Sequence, residues 1–257
     1  MTIYSQPKPA GTPTWNDLAA SDPEGARAFY KAVFGWDYDI GGPEYGGYTT
    51  ARLGDRPVAG ISGNVTPDGT MFPVAWGLFF ASEDAEADVA RAVELGAQVV
   101  FPPMAVGPFG SMATLVDPGG AAFSFWQAGQ NIGAEVTDEP GSAAWQELYA
   151  ADAKQSRDFY SALLRATADP MPGGLEYYTL KHGDAMLAGI MQIDPSWGQF
   201  SPQWMTYFTV SDADETAAVI KQHGGKLLGP VDDSPFGRLA AVMDPFGATF
   251  KILQPPG

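Results

Sequence analysis

Trp15-Asn-Asp-Leu-Ala-Ala-Ser-Asp22 is answered 130 residues later by Trp145-Gln-Glu-Leu-Tyr-Ala-Ala-Asp152. Arg27-Ala-Phe-Tyr30 is answered at the same offset by Arg157-Asp-Phe-Tyr160. Across 15–34 against 145–164, eight of twenty positions are identical, so the chain is an internal duplication. Near the end of each half, Pro108-Phe-Gly110 matches Pro235-Phe-Gly237. Asp117-Pro-Gly-Gly-Ala-Ala-Phe123 likewise matches Asp244-Pro-Phe-Gly-Ala-Thr-Phe250, now at an offset of 127. The net shortening of three residues belongs in loops, which tolerate it. The boundaries expected are a flexible arm over 1–12, one domain over 13–128, a polar, Gly-rich linker over 129–142, and a second domain over 143–257.

Each half carries two helix signals. Asp22-Pro23 reads as an N-cap followed by Pro at N1, opening a helix through Phe34; Asp152-Ala-Lys-Gln155 opens its twin. The other two helices are expected to follow Ser82 and Ser211 and to stop at Gly96 and Gly224. Strand-like segments precede the four helices at 14–20, 74–81, 144–150 and 203–210, and further β-like runs follow at 47–53, 57–64, 111–116 and 121–127. Asp117-Pro-Gly-Gly and Asp244-Pro-Phe-Gly place Asp, Pro and Gly where a type I turn takes them, and each closes a hairpin.

Composition narrows the function. The 257 residues hold 14 Lys plus Arg against 30 Asp plus Glu, a formal net charge of −16. A basic face for nucleic acid or an anionic membrane is not available from so few cations. The absence of cysteine removes disulfides, thiolate metal sites and thiol nucleophiles. The N-terminus shows no apolar signal-peptide core and no stretch has the length of an apolar transmembrane span, so a cytoplasmic location is expected. His182 and His223 are the only histidines; they read as a hairpin residue and a helix cap. No nucleophile elbow is present, and Gly41–Gly47 lacks the lysine and helix of a phosphate loop.

The order of elements, with Asp-Pro-x-Gly closing the last hairpin of each half, resembles the vicinal oxygen chelate superfamily of glyoxalases, bleomycin-resistance proteins and extradiol dioxygenases. The duplication resembles its tandem two-domain actinobacterial glyoxalase-like members. The resemblance implies an α+β fold of two tandem glyoxalase-like domains, each of paired βαβββ modules forming an open cup-shaped β-barrel with the site in its mouth. It also implies metal ligands on the first and last strands of each module. Those positions hold Trp15 and Ser124 in one half and Trp145 and Lys251 in the other, with Trp76 or Gly77 and Trp204 or Met205 opening the second modules. None is a usual ligand, so neither metal nor other cofactor is expected.

Strand alternation puts Asp17 on the face of Trp15 and Glu147 on the face of Trp145, leaving Asn16 and Gln146 on the other. A carboxylate desolvated by aromatic walls is a candidate general acid or base, so Asp17 and Glu147 are the catalytic candidates. Tyr48, Trp76, Phe109, Ser124 and Trp126 are expected to line the first cup with Trp15. Tyr178, Trp204, Phe236 and Lys251 are expected to line the second with Trp145. Arg27 and Arg157 recur at one helix position and read as anchors to nearby carboxylates. The leading reading is a metal-free binder of a small, aromatic or cationic molecule, of the bleomycin-resistance type. A metal-independent enzyme working on a small carbonyl or hydroxylated substrate through Asp17 or Glu147 is the alternative, and a divalent-metal glyoxalase or dioxygenase the second. Whether the cups turn over their ligand stays open at this level. The two domains are expected to pair within one chain, and a homodimer is compatible with that.

Overall fold

The computed structural model describes residues 1–66, 69–174 and 176–256. In the first half, Pro13–Ala20, helix α1 (Pro23–Phe34) and the strands Asp37–Ile40, Thr49–Leu53 and Arg56–Gly63 form one βαβββ module. Ala75–Ser82, helix α2 (Ala85–Glu94), Gln98–Val106, Gly110–Val116 and Ala122–Ala128 form the next. The second half repeats this with Ala143–Ala150, helix α3 (Ala153–Leu164), Thr167–Pro170, Tyr177–His182 and Ala185–Gln192, then Gln203–Thr209, helix α4 (Ala213–Gln222), Gly237–Met243 and Thr249–Gln254. Two short strands, Lys226–Leu227 and Asp232–Ser234, stand where the first half has Gln98–Val106. The modules of each half join through their first strands, Pro13–Ala20 antiparallel to Ala75–Ser82 and Ala143–Ala150 antiparallel to Gln203–Thr209. Each half is therefore one open, curved sheet, and neither closes into a barrel.

The helices begin where side chains satisfy orphan N–H groups. Asp22 accepts from Gly25 N, and Asp152 from Lys154 N and Gln155 N, as the sequence indicated. The other two helices follow Ser82 and Ser211 as expected, and their caps are the aspartates Asp84 and Asp212. Ser82 instead accepts from Asp84 N and donates to Asp88, one step before the helix. The strands at Asp37–Ile40 and Thr167–Pro170 were not foreseen; both are short, exposed edges with no apolar period to announce them.

The helix-side faces of the two sheets meet. One core joins Leu18, Ile61 and α1 to Phe208, Phe250 and α4, and the other joins Leu78, Phe123 and α2 to Leu148, Ile190 and α3. Each core thus draws on both halves, and the repeated residues cross over between them. Tyr30 donates to Asp244 (3.0 Å) and Tyr160 donates to Asp117 (2.9 Å), so each hairpin aspartate is gripped by the helical tyrosine of the other half. Trp76 Nε1 and Trp204 Nε1 donate to those same tyrosine oxygens, both at 3.0 Å. These two tryptophans therefore do not line the cups. Trp76 pairs with Leu18 and Trp204 with Leu148, which fixes both on the helix side. Gly77 and Met205 are the residues that share a face with Asp17 and Glu147.

Where the halves touch, Asn16 donates to Thr206 (2.8 Å), Gln146 donates back to Asn16 (2.8 Å), and Thr206 donates to Gln146 (2.9 Å). All three are buried. Asn16→Ala strands two polar partners there and is expected to cost about 1–3 kcal/mol, read by urea unfolding. An unchanged midpoint would mean that the halves are not tied at this point. The residues expected to form a free arm are placed along this seam. Thr2–Ile3 pairs with Val136–Thr137 of the linker, and Gly11 N donates to Ala81 O.

Candidate functional site

The concave face of the first sheet encloses a cavity of about 450 Å³, within the size range of small-molecule pockets. Its wall includes Trp15, Phe79, Phe109, Met112 and Trp126, with Tyr48, Thr50 and Asn131 as polar points and Asp17 facing in. The Pro13–Ala20 strand brings Trp15 and Asp17 to one face by its two-residue period, and Phe79 lies opposite Trp15 across the antiparallel pair. At the mouth, a short 3-10 turn over Pro43–Tyr45 sets the Tyr45 ring edge-on to Phe109 at 5.5 Å. The Arg52–Asp39 ion pair stands on the rim.

A chain of hydrogen bonds holds the polar end. Trp15 Nε1 donates to the Tyr48 hydroxyl at 2.9 Å, and that hydroxyl sits against the Asp17 carboxylate. Ser62 donates to Asp17 Oδ1 at 3.1 Å. Burial pushes Asp17 up to about 6, against the opposing pull of Tyr48 and Ser62. Asp17 is only half-buried, and the surface it keeps faces the cavity. Gly60, paired with Asp17 on the next strand, leaves the space that the Tyr48 ring uses. A Cβ there would lie 2.0 Å from the Tyr48 oxygen and 2.8 Å from Asp17 Oδ2. Gly60→Ala is expected to push Tyr48 out, costing about 1–3 kcal/mol by overpacking and raising the Kd of any ligand seated on Tyr48. Normal stability together with normal binding would contradict this positioning.

The second cup starts from the same template and ends differently. Trp145 Nε1 donates to Tyr177 at 3.3 Å, and Tyr177 occupies the space over Gly189 as Tyr48 does over Gly60. Beyond that, Tyr149, Met205 and Tyr207 are buried in the cup and pack with Trp145, Phe200 and Leu253. Tyr207 donates to Glu147 and Lys251 donates to Tyr207, both at 2.6 Å, with Lys251 Nζ 3.6 Å from Glu147. Both charged side chains are largely covered, at 15% and 7% exposure for Lys251 and Glu147. Burial lowers the lysine below its usual range, partly offset by Glu147. Tyr149 stands where the first half has Ala19, and Trp197 and Phe200 pack edge-on against it.

The site residues read from the sequence therefore divide. Trp15, Asp17, Tyr48, Phe109 and Trp126 come together around the first cavity. Ser124 lies on the same face but is buried against Thr114 (2.9 Å), outside the cavity wall. Trp145, Glu147 and Lys251 meet in the second cup, as parts of its filling. Tyr178 is a correction: it turns to the helix-side core, bonds Glu176 and lies under Arg157, and its neighbour Tyr177 takes the cup position. Phe236 is a second correction, being 61% exposed at a turn tip. Of the two arginines, Arg157 pairs with Asp158, while Arg27 bonds the Thr49 hydroxyl and, among the described residues, no carboxylate. His182 bonds Leu164 O, and His223 caps α4. Phe79, Ser62, Gly60 and Tyr177 were missed. The signal for the last two was Ala59-Gly-Ile61 repeated as Ala188-Gly-Ile190, an offset of 129.

The residues present do not fit a metal. Indole and ammonium groups offer no acceptor lone pair for a cation, and Lys251 already places a positive charge in the second cup. Among the described residues, no three His, Cys, Asp or Glu side chains are grouped to hold an ion.

Two tandem cups of paired βαβββ modules, set back to back, define a protein of the vicinal oxygen chelate class. Family models match both halves: a glyoxalase-like domain over residues 16–126 and the glyoxalase/bleomycin resistance protein/dioxygenase superfamily over 142–252, and the chain belongs to that superfamily. It is 37% identical over 250 residues to the Mycobacterium tuberculosis protein named "Putative glyoxylase CFP32", covering 95% of each chain. It is 35% identical over 257 residues to the anthracycline biosynthesis protein DnrV of Streptomyces peucetius, covering 95% of this chain and 93% of that one. Among solved structures, the Mn(II)-bound glyoxalase from Novosphingobium aromaticivorans aligns with a TM-score of 0.65 at 14% identity, over 95% of this chain and 82% of that one. The 2,3-dioxygenase LapB from Pseudomonas sp. KL28 aligns with a TM-score of 0.66 at 12% identity, over 100% and 94%. At such identities these structures share the fold alone.

Proposed function

We propose that the first cup binds a small aromatic molecule without a metal, in the manner of the bleomycin-resistance branch, and that the second cup is structural. The aromatic cavity beside Asp17 carries this reading: rings on its wall give stacking and dispersion, and the Asp17–Tyr48 pair gives one polar anchor. Relatives named for anthracycline biosynthesis favour a polycyclic, hydroxylated ligand, since anthracyclines are of that kind.

A second reading, acid–base turnover of that ligand, is favoured by Asp17 itself. A carboxylic acid at about 6 has both protonation states populated near neutral pH, as a general acid or base requires. Tyr48 would orient the reacting oxygen or proton, and the aromatic wall would keep water away.

The test is titration of the protein with 1,8-dihydroxyanthraquinone, followed by tryptophan fluorescence over a range of pH. Saturable quenching is expected, with an affinity that changes around pH 6. Weakening above pH 6 would mean that the acid form donates to the ligand; strengthening would mean that the carboxylate receives a cation or hydroxyl. No saturable binding, or binding that survives Trp126→Ala and Phe79→Ala together, would remove the first cup from consideration.

A further inference from the structure

The seam between the halves holds a feature that the cups do not use. Beneath the N-terminal segment lies a cavity of about 300 Å³, reached by Tyr4, Lys8 and Thr14 from one side and by Asp138 and Gln146 from the other. Lys8 is only 8% exposed. Its ammonium donates to Pro13 O at 3.1 Å and lies 4.4 Å from the centre of the Tyr4 ring. Among the described residues no carboxylate is within 4.0 Å of it. An ammonium carries three protons; Pro13 O takes one and the Tyr4 ring faces the group, and among the described residues no second hydrogen-bond acceptor is on it, although Lys8 borders two cavities. The second of those is about 480 Å³ and also reaches Glu83.

A buried cation with no carboxylate in contact is costly. This chain has 30 acids for 14 bases, so a carboxylate partner was available many times over. Asp138 is the acid whose field helps keep Lys8 charged. It is held in a left-handed backbone conformation (φ 61°), uncommon for a residue other than glycine, with the Thr137 hydroxyl on its carboxylate at 2.9 Å. The strand segments around Trp15 and Trp145 border the same cavity, with Pro13, Ala134 and Leu187 as apolar lining.

We propose that this seam is a second small-molecule site, in which the Lys8 ammonium binds the carboxylate of a small monocarboxylic acid whose carbon body lies among Pro13, Ala134 and Leu187. The size of the cavity limits that body to a single ring or a short chain, and Asp138 opposes a second negative charge. Trp15 borders both this cavity and the first cup, so an occupied seam lies beside the strand that carries the cup's anchor.

The experiment is isothermal titration with benzoate, using benzamide as the uncharged control. One equivalent of benzoate is expected to bind at millimolar concentrations or below, and benzamide is not. Loss of a charge-assisted contact predicts a weakening of about tenfold or more in Lys8→Met, with binding kept in Lys8→Arg and in Asp17→Asn. Burial lowers Lys8 to about 8, with Asp138, Tyr4 and Glu83 as the titratable groups around it. Benzoate affinity on the wild-type protein should therefore fall as pH rises through 8, a readout that stands if Lys8→Met does not fold. Equal binding of benzamide, full binding by Lys8→Met, affinity flat across pH 7–9, or no binding to the wild type would each overturn the site. None of these outcomes depends on whether the first cup binds an anthraquinone.

Discussion

Asp17→Asn is expected to abolish or sharply weaken ligand binding while making the protein more stable at neutral pH. Glu147→Gln, at the equivalent position, is expected to lower stability and leave binding unchanged. The difference comes from what each acid touches. Asp17 is raised to about 6 by burial, so holding its charge costs folding energy above that pH. A carboxyl whose folded pKa lies above its unfolded value contributes stability that is complete below about pH 4 and lost as pH rises through 6. Water in the cavity screens part of this, leaving about 1–3 kcal/mol. The melting temperature of Asp17→Asn should therefore match that of the wild type near pH 4 and exceed it at pH 7. Glu147 instead accepts from Tyr207 and offsets Lys251 in a filled cup. Neutralising it leaves a largely buried ammonium without its counter-charge, at a cost of about 1–3 kcal/mol, with binding in the first cup untouched. Equal effects of the two changes on stability and binding would show the cups to be equivalent.

Tyr30→Phe combined with Tyr160→Phe is expected to give the largest loss of stability, about 2–6 kcal/mol for the pair. Each hydroxyl accepts from a buried tryptophan and donates to a buried aspartate of the other half. Removing one oxygen leaves an indole N–H and a carboxylate oxygen unsatisfied, about 1–3 kcal/mol at each site. The sites lie in separate cores, so their costs should add. Because each bond joins the two halves, the double variant should also lose cooperativity, with the halves unfolding at separate denaturant concentrations. A single transition with an unshifted midpoint would contradict the cross-gripped arrangement.

The fold was legible because duplication made each element appear twice. Asp22-Pro23, Asp152 and the Asp-Pro-x-Gly hairpins are local signals with local causes, and they fall where the sequence places them. The crossing bonds were not legible. The helical Phe-Tyr pair and the hairpin aspartate were each visible as repeated residues, but nothing along the chain says that Tyr30 reaches Asp244 and not Asp117. Face assignment failed at Trp76, Trp204 and Tyr178 for a common reason: a shift of one residue reverses a strand's faces. The offset between halves drifts from 130 at Trp15 to 129 at Gly60 and 127 at Asp117, so a single alignment shift put Tyr178 where Tyr177 belongs. Asp17 and Glu147 were legible as a matched pair of inward acids. Their divergence was not, because it depends on Tyr207, Tyr149 and Lys251 arriving from three strands.

A structure of the protein with one equivalent of 1,8-dihydroxyanthraquinone tests the central claim most directly. The prediction is one molecule in the first cup, in contact with Trp15, Phe79 and Trp126, with an oxygen against Asp17 or Tyr48 and the Glu147–Tyr207–Lys251 contacts unbroken in the second. A molecule bound in the second cup, with Lys251 displaced and the first cup empty, would contradict it.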